Sequence, residues 1–176
     1  LVQHTTGSGK SYSIGWLSHT LTSLFRKDGD TKRMFDSVIV VTDRRVLDKQ
    51  LRDTITDLQK NDGVVHGVKK GAKDLQDFLE LGKDIIISTI QKFPRISKTI
   101  SSLGDKTFAV IIDEVHSSQS GQLSKELKKS LSKNQDEDEF DFEAMIREEI
   151  KNRGRQKHIS FFGFTGTPKE KTLELF

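Results

Sequence analysis

Four short runs of β-branched and aromatic residues constrain the fold of this chain most. They are Ser37–Thr42 (SVIVVT), Asp84–Thr89 (DIIIST), Thr107–Asp113 (TFAVIID) and His158–Phe164 (HISFFGF). Each is nearly continuous in apolar residues instead of alternating, the pattern of a strand covered on both faces. Leu1–Gln3 reads as the tail of another strand, and Val64–Val65 as a short one. Between them lie helical patterns. Ile14, Leu17, Leu21 and Leu24 repeat at three and four, as do Leu47, Leu51, Ile55 and Leu58, and then Leu75, Phe78 and Leu79. Such spacing places an apolar stripe on one helix face. Strand and helix therefore alternate, which predicts an α/β fold: a mostly parallel sheet with helices on both faces. At 176 residues the chain has the size of about one domain.

Composition narrows the chemistry. There is no Cys, which excludes disulfides, thiolate metal sites and a cysteine nucleophile and fits a reducing compartment. No apolar run approaches the roughly 20 residues of a membrane span, and no secretory signal is visible, so no membrane partner is expected. A net charge of +3 from 29 basic and 26 acidic residues is too mild to argue for nucleic acid alone. The chain starts at Leu1 and enters a glycine-rich motif three residues later; it reads as a domain excised from a longer protein. Residues 125–157 are dominated by charge and contain four successive acids, Asp136 to Glu139. They read as a solvated insertion whose later part carries a short amphipathic helix pattern at Phe142, Met145, Ile146 and Ile150; the alternative is a docking element for a partner or another domain.

The strongest local signal is His4-Thr5-Thr6-Gly7-Ser8-Gly9-Lys10-Ser11, between a strand tail and a helix. This is the setting a phosphate-binding loop requires. Gly7 and Gly9 permit torsions that turn successive N–H groups towards a phosphate, and the helix adds its positive end. Thr6 and Ser8 complete the cradle. Lys10 reaches the β- and γ-phosphates, and Ser11 offers a hydroxyl to Mg²⁺. One position departs from G-x-x-x-x-G-K-[ST]: its first glycine is His4.

The second signal is Asp113-Glu114-Val115-His116, directly after the apolar run Phe108–Ile112. Acids at the carboxyl end of a parallel strand lie where open sheets bind ligands. Asp113 is suited to hold Mg²⁺, and Glu114 to orient and deprotonate an attacking water. The third signal is Gly163-Phe164-Thr165-Gly166-Thr167-Pro168. Alone it is a turn; beside the other two, its threonines are placed to sense a γ-phosphate. His19, His66 and His158 have no metal-ligand spacing and read as structural or surface residues.

The ordered set HTTGSGKS, VVTDRRVLDKQL, IISTIQKF, DEVHSSQSG and FFGFTGTP resembles the superfamily 2 helicase/translocase motor. Within that superfamily it is most similar to the motor (R) subunit of type I restriction–modification enzymes, and the resemblance runs from motif I to motif III over nearly the whole chain. It implies a RecA-like P-loop domain, residues 1–176 being the first motor domain. ATP and Mg²⁺ are the implied cofactors, with Gly7, Gly9, Lys10 and Ser11 on the triphosphate and metal, Asp113 on Mg²⁺ and Glu114 as catalytic base. His116, Thr165 and Thr167 would couple nucleotide state to DNA contact. Thr42, Asp43 and Arg44 match motif Ia, and Thr89 and Gln91 match motif Ib, which in the family lie along one DNA strand. Hydroxyls, amides and an arginine suit phosphate positioning rather than base readout. Taken without the resemblance, Thr42 would equally cap the following helix, and Arg44 would equally be a solvated side chain.

The same resemblance implies partners: double-stranded DNA, a second RecA-like domain and a nuclease domain of the same chain, and separate methyltransferase and specificity subunits. It also implies a cytoplasmic protein of a bacterium or archaeon. The arginine that stabilises transition-state charge belongs to the second motor domain, and the nuclease carboxylates to an upstream domain. The fragment alone is therefore expected to bind nucleotide weakly, hydrolyse it slowly and not cut DNA. Two other readings stand beside this one: a superfamily 2 DNA or RNA helicase outside restriction, and a nucleotide-gated scaffold without turnover.

Overall fold

The computed structural model describes residues 1–5, 7–27, 29, 31–42, 45–58, 63–68, 72–114, 158–168 and 173. Six strands form one sheet: β1 (Val2–Gln3), β2 (Ser37–Thr42), β3 (Val65–Gly67), β4 (Ile85–Thr89), β5 (Phe108–Asp113) and β6 (Ile159–Thr165). Their order is β1-β6-β5-β2-β4-β3, and every pairing is parallel. Among the described residues, four helices lie between these strands: α1 (Lys10–Thr22), α2 (Arg45–Leu58), α3 (Ala72–Glu80) and α4 (Phe93–Ser102). The expected α/β architecture is the one observed.

The continuous apolar runs are continuous because helices cover both faces. All residues of β2, β4 and β5 are buried. Successive side chains point to opposite faces of a strand, so each run divides between two cores. Ile39, Val41, Ile86, Val110 and Ile112 pack with Leu75 and Leu79 of α3 and Ile96 and Ile100 of α4. Val38, Val40, Ile85, Ile87 and Ile111 pack with Ile14 and Leu21 of α1 and Leu51 and Ile55 of α2. Each buried aliphatic side chain contributes roughly 1.5–3 kcal/mol, and two such layers keep the sheet's carboxyl edge rigid.

Two elements differ from the sequence reading. Helix α1 stops at Thr22, before Leu24, which is exposed and lies next to an isolated bridge between Phe25 and Arg33. The reason is a cluster of hydroxyls. Ser18, Thr20 and Thr22 donate back to the carbonyls of Ile14, Trp16 and His19, and Ser23 donates to those of His19 and Thr20. Such side chains compete with the helical ladder. Helix α4 is absent from the alternation read above. It follows a 3-10 turn at Ile90–Lys92 and has a proline in its first turn, where the missing N–H does no harm.

His19, His66 and His158 each lie within hydrogen-bond distance of a main-chain carbonyl. His19 Nε2 lies 2.8 Å from the Ile55 carbonyl in the last turn of α2, and His158 Nε2 lies 3.3 Å from that of Ile100 in the last turn of α4. His66 Nε2 lies 2.7 Å from the Gly63 carbonyl. Carbonyls at helix ends lack intrahelical donors, and two of the three rings meet that need. The Leu47 side chain and the charged stretch 125–157 lie outside the described residues.

Candidate functional site

The topology sets β6 between β1 and β5. Three loops that are far apart in sequence therefore leave adjacent strands at one carboxyl edge: the glycine-rich loop after β1, Thr165-Gly166-Thr167 ending β6, and Asp113-Glu114 ending β5. Gln3 is in register with Thr165, and Asp113 with Phe164. Sequence spacing alone does not reveal that the TGTP strand is inserted between the other two.

The loop after β1 has the torsions the motif demands. Gly7 and Gly9 have φ of 80° and 85°, in the region that favours glycine. Gly9 is the N-cap of α1, with no side-chain cap and no acid in the first turn. Tyr12 and Ser13 N–H groups both donate to the Gly9 carbonyl, at 3.0 and 3.1 Å. Helix geometry leaves the Lys10 and Ser11 N–H groups without an intrahelical acceptor. A Cβ at Gly7 or Gly9 would meet nothing within 4 Å, so the cradle is open. An uncapped helix N-terminus beside an open glycine loop is built for an anion.

Lys10 ties this loop to the acids. Its Nζ lies 3.0 Å from Asp113 Oδ1 and pairs with Glu114 Oε1. Strand spacing puts β1 and β5 about 10 Å apart, so the lysine reaches over the end of β6. Asp113 is buried and Glu114 partly so. Among the described residues, Glu114 is the one non-glycine with positive φ, 55°. A left-handed torsion there costs about 1–3 kcal/mol and is the kind of strain that collects at functional sites. It ends β5 and turns the carboxylate back towards Lys10. The sequence signalled the acid but not the strain.

One lysine against two carboxylates leaves the site one negative charge in excess. A polyphosphate adds several more, so the donor set calls for a divalent cation. Mg²⁺ binds through one or two carboxylates plus phosphates and water rather than a full protein cage. No cluster of three or more His, Cys, Asp or Glu suited to a metal exists among the described residues. Ser11 and Asp113 are the side chains that fit.

The remaining candidates divide. Thr165 is fully buried at the end of β6, and Thr167 is exposed just beyond it. Thr42 and Thr89 are buried at the neighbouring ends of β2 and β4. Thr42 precedes the first residue of α2 by three, and its hydroxyl has no partner among the described residues, so it does not cap that helix. Thr6, Asp43, Arg44 and His116, and the side chain of Gln91, lie outside the described residues.

Position 4, where the motif departs from glycine, carries a structured side chain. His4 Nδ1 is 2.9 Å from Ser8 Oγ, and its Nε2 is 3.3 Å from Ser13 Oγ. No helix among the described residues is long and apolar enough to cross a membrane.

The profile of the SWI2/SNF2 ATPase family matches residues 1–137. Similar curated proteins include the endonuclease subunits of the type I restriction enzymes SauCOLORF180P and SauMSSORF170P from Staphylococcus aureus strains COL and MSSA476. Each is 28% identical over 172 residues, covering 96% of this chain and 15% of the relative. The chain thus spans 15% of the length of those proteins. Among solved structures, the fold is similar to a hypothetical ATP-dependent RNA helicase from Sulfolobus tokodaii, with TM-score 0.56, 21% identity, and coverage of 98% of this chain and 43% of that one. It is also similar to a nuclease-deletion mutant of the Type ISP restriction-modification enzyme LlaGI in complex with a DNA substrate mimic. There the TM-score is 0.52 and the identity 16%, with 96% of this chain and 15% of that one covered. At these identities the two structures speak for the fold.

Proposed function

The chain belongs to the SWI2/SNF2 ATPase family, and from that premise we propose that it is the first RecA-like motor domain of a type I restriction endonuclease subunit. In this reading ATP hydrolysis drives translocation along double-stranded DNA. The observation that carries the proposal is Lys10 joining the phosphate loop to Asp113 and Glu114 across the end of β6. The likeness to type I endonuclease subunits over 96% of the chain supports the restriction setting. Methyltransferase and specificity subunits, a nuclease domain and a second motor domain are the partners this reading assigns.

In this reading the residues divide the work as follows. The N–H groups of Thr6 to Ser11 take the β- and γ-phosphates, and Lys10 leaves the acids to meet the incoming charge. Ser11 and Asp113 would hold Mg²⁺, which would supply charge neutralisation at the phosphates. Glu114, freed from Lys10, orients the attacking water and accepts its proton. Thr165 and Thr167, at the strand end between loop and acids, register loss of the γ-phosphate and pass it with His116 to the DNA side. Thr42, Arg44, Thr89 and Gln91 follow one strand's backbone. The second motor domain supplies the arginine that stabilises transition-state charge.

The test is a pair of assays on the intact protein. ATPase activity should rise when double-stranded DNA is added and stay at its basal level with single-stranded RNA. A third strand annealed to the duplex should be displaced with a lag that grows with its distance from the loading site. Stimulation by RNA instead of duplex DNA, or displacement without that lag, would remove the translocase reading.

A further inference from the structure

The phosphate-loop pattern places glycine where this chain has His4, and a glycine there is usually read as a backbone need. That need is absent here. Among the described residues, Glu114 is the one non-glycine with positive φ, so His4 is not left-handed, and the loop's left-handed torsions fall at Gly7 and Gly9. Position 4 is therefore free to carry a side chain, and the imidazole uses both its nitrogens.

The hydrogen-bond directions form one consistent chain. Ser8 Oγ donates to the Thr5 carbonyl at 2.6 Å. Its hydrogen is thereby committed, so towards His4 the Ser8 oxygen accepts. His4 Nδ1 carries the hydrogen and donates to Ser8 Oγ at 2.9 Å. In the neutral ring Nε2 is then an acceptor, and Ser13 Oγ donates to it at 3.3 Å. The ring thus joins the first residue of the loop to its apex and to the first turns of α1. Below, the ring faces Phe164 with centroids 6.3 Å apart. The His4 main-chain N–H donates to the Thr165 carbonyl at 2.9 Å. One residue holds the loop, the helix start and the end of β6 in a single frame.

We propose that His4 is a positioning residue for nucleotide binding: its imidazole holds Ser8, and with it the flanking Gly7 and Gly9, in the arch that accepts the triphosphate, taking the place of ordering by the ligand itself. The inference rests on the reading of this loop as the triphosphate site. Binding to a loop already in its bound form loses less conformational entropy. Without the ring, Gly7, Ser8 and Gly9 must be ordered at each binding event, and affinity falls by the fraction of time the arch is populated. The chemistry at Glu114 is untouched, so the effect falls on KM and Kd.

The experiment measures MgADP binding and steady-state ATPase activity of the intact protein carrying His4→Ala, His4→Asn, Ser8→Ala and the double change His4→Ala/Ser8→Ala. Two lost hydrogen bonds lead to a weakening of about tenfold in Kd and KM for His4→Ala, with kcat within about threefold. His4→Asn restores most of the affinity, because the asparagine amide N–H stands near the place of ring Nδ1–H. Ser8→Ala reproduces part of the loss, and because it also removes the bond to the Thr5 carbonyl, the double variant loses more than His4→Ala but less than the sum of the two single losses, as a shared His4–Ser8 interaction requires. The inference is overturned if His4→Ala leaves Kd and KM within about twofold of the parent. It is equally overturned if Asn fails to rescue, or if the His4 and Ser8 losses add in full. Lys10→Ala serves as the separate control: if that change leaves MgADP binding intact, the site reading fails, whatever His4 does.

Discussion

Glu114→Gln should lower DNA-stimulated ATP turnover by about a thousandfold while leaving nucleotide affinity unchanged or tighter. A positioned general base contributes roughly 10²–10⁴ in rate, and the amide keeps the shape of the side chain but cannot take a proton. Its oxygen still accepts a hydrogen bond from Lys10, so the pairing that shapes the empty site persists in weaker form. One negative charge near the phosphates disappears, which favours the polyanion. The left-handed torsion at residue 114 (φ 55°) is no worse for Gln than for Glu. Turnover of the variant in the presence of duplex DNA, read beside the dissociation constant of a fluorescent nucleotide, separates chemistry from binding. Turnover within about threefold of the parent would mean that Glu114 is not the base, whatever its place beside Lys10.

Lys10→Ala should weaken nucleotide binding by about a hundredfold or more. Two effects act together. Charge-assisted hydrogen bonds to phosphate are worth roughly 1.5–3 kcal/mol. The substitution also leaves Asp113 and Glu114 adjacent at the strand end without the ammonium that pairs with both. Like charges then face the incoming triphosphate in a partly buried setting, where screening is weak. Lys10→Arg should not rescue, since a planar fork differs from a compact cation that must exchange carboxylates for phosphates. The fold should survive, because Lys10 lies at the carboxyl edge, outside both apolar layers. Competition against a fluorescent nucleotide reads the affinity, and circular dichroism confirms the fold. Near-parental affinity in a folded Lys10→Ala protein would exclude this loop as the triphosphate site.

Most of the architecture was legible in the residues. The runs at Ser37–Thr42 and Thr107–Asp113 became strands with those bounds or nearly so, because an unbroken β-branched run has few other ways to bury both faces. The strand order was not legible. That β6 lies between β1 and β5 follows from long-range packing, and it is this order that brings Thr165 to the phosphate loop. The end of α1 was overestimated because the stripe to Leu24 ignored the hydroxyls of Thr20, Thr22 and Ser23, which draw the last carbonyls to themselves. The signal for α4 was present in Phe93, Ile96 and Ile100 and in Pro94, at the spacing used for the other helices. The candidate site was legible as three motifs. Its connection was not: no spacing rule states that Lys10 grips both acids, that Glu114 is left-handed, or that His4 uses both ring nitrogens within the loop.

The measurement that tests the central claim most directly is a calorimetric titration of the intact protein with a slowly hydrolysed ATP analogue, with and without Mg²⁺. With Lys10 outnumbered by Asp113 and Glu114, the site is expected to resist a bare polyanion and to accept it with a divalent cation. Saturable binding that Mg²⁺ strengthens severalfold or more is the expected result. Absence of binding at millimolar analogue, or binding that Mg²⁺ leaves unchanged, would contradict a triphosphate site built from residues 4–11 and Asp113-Glu114.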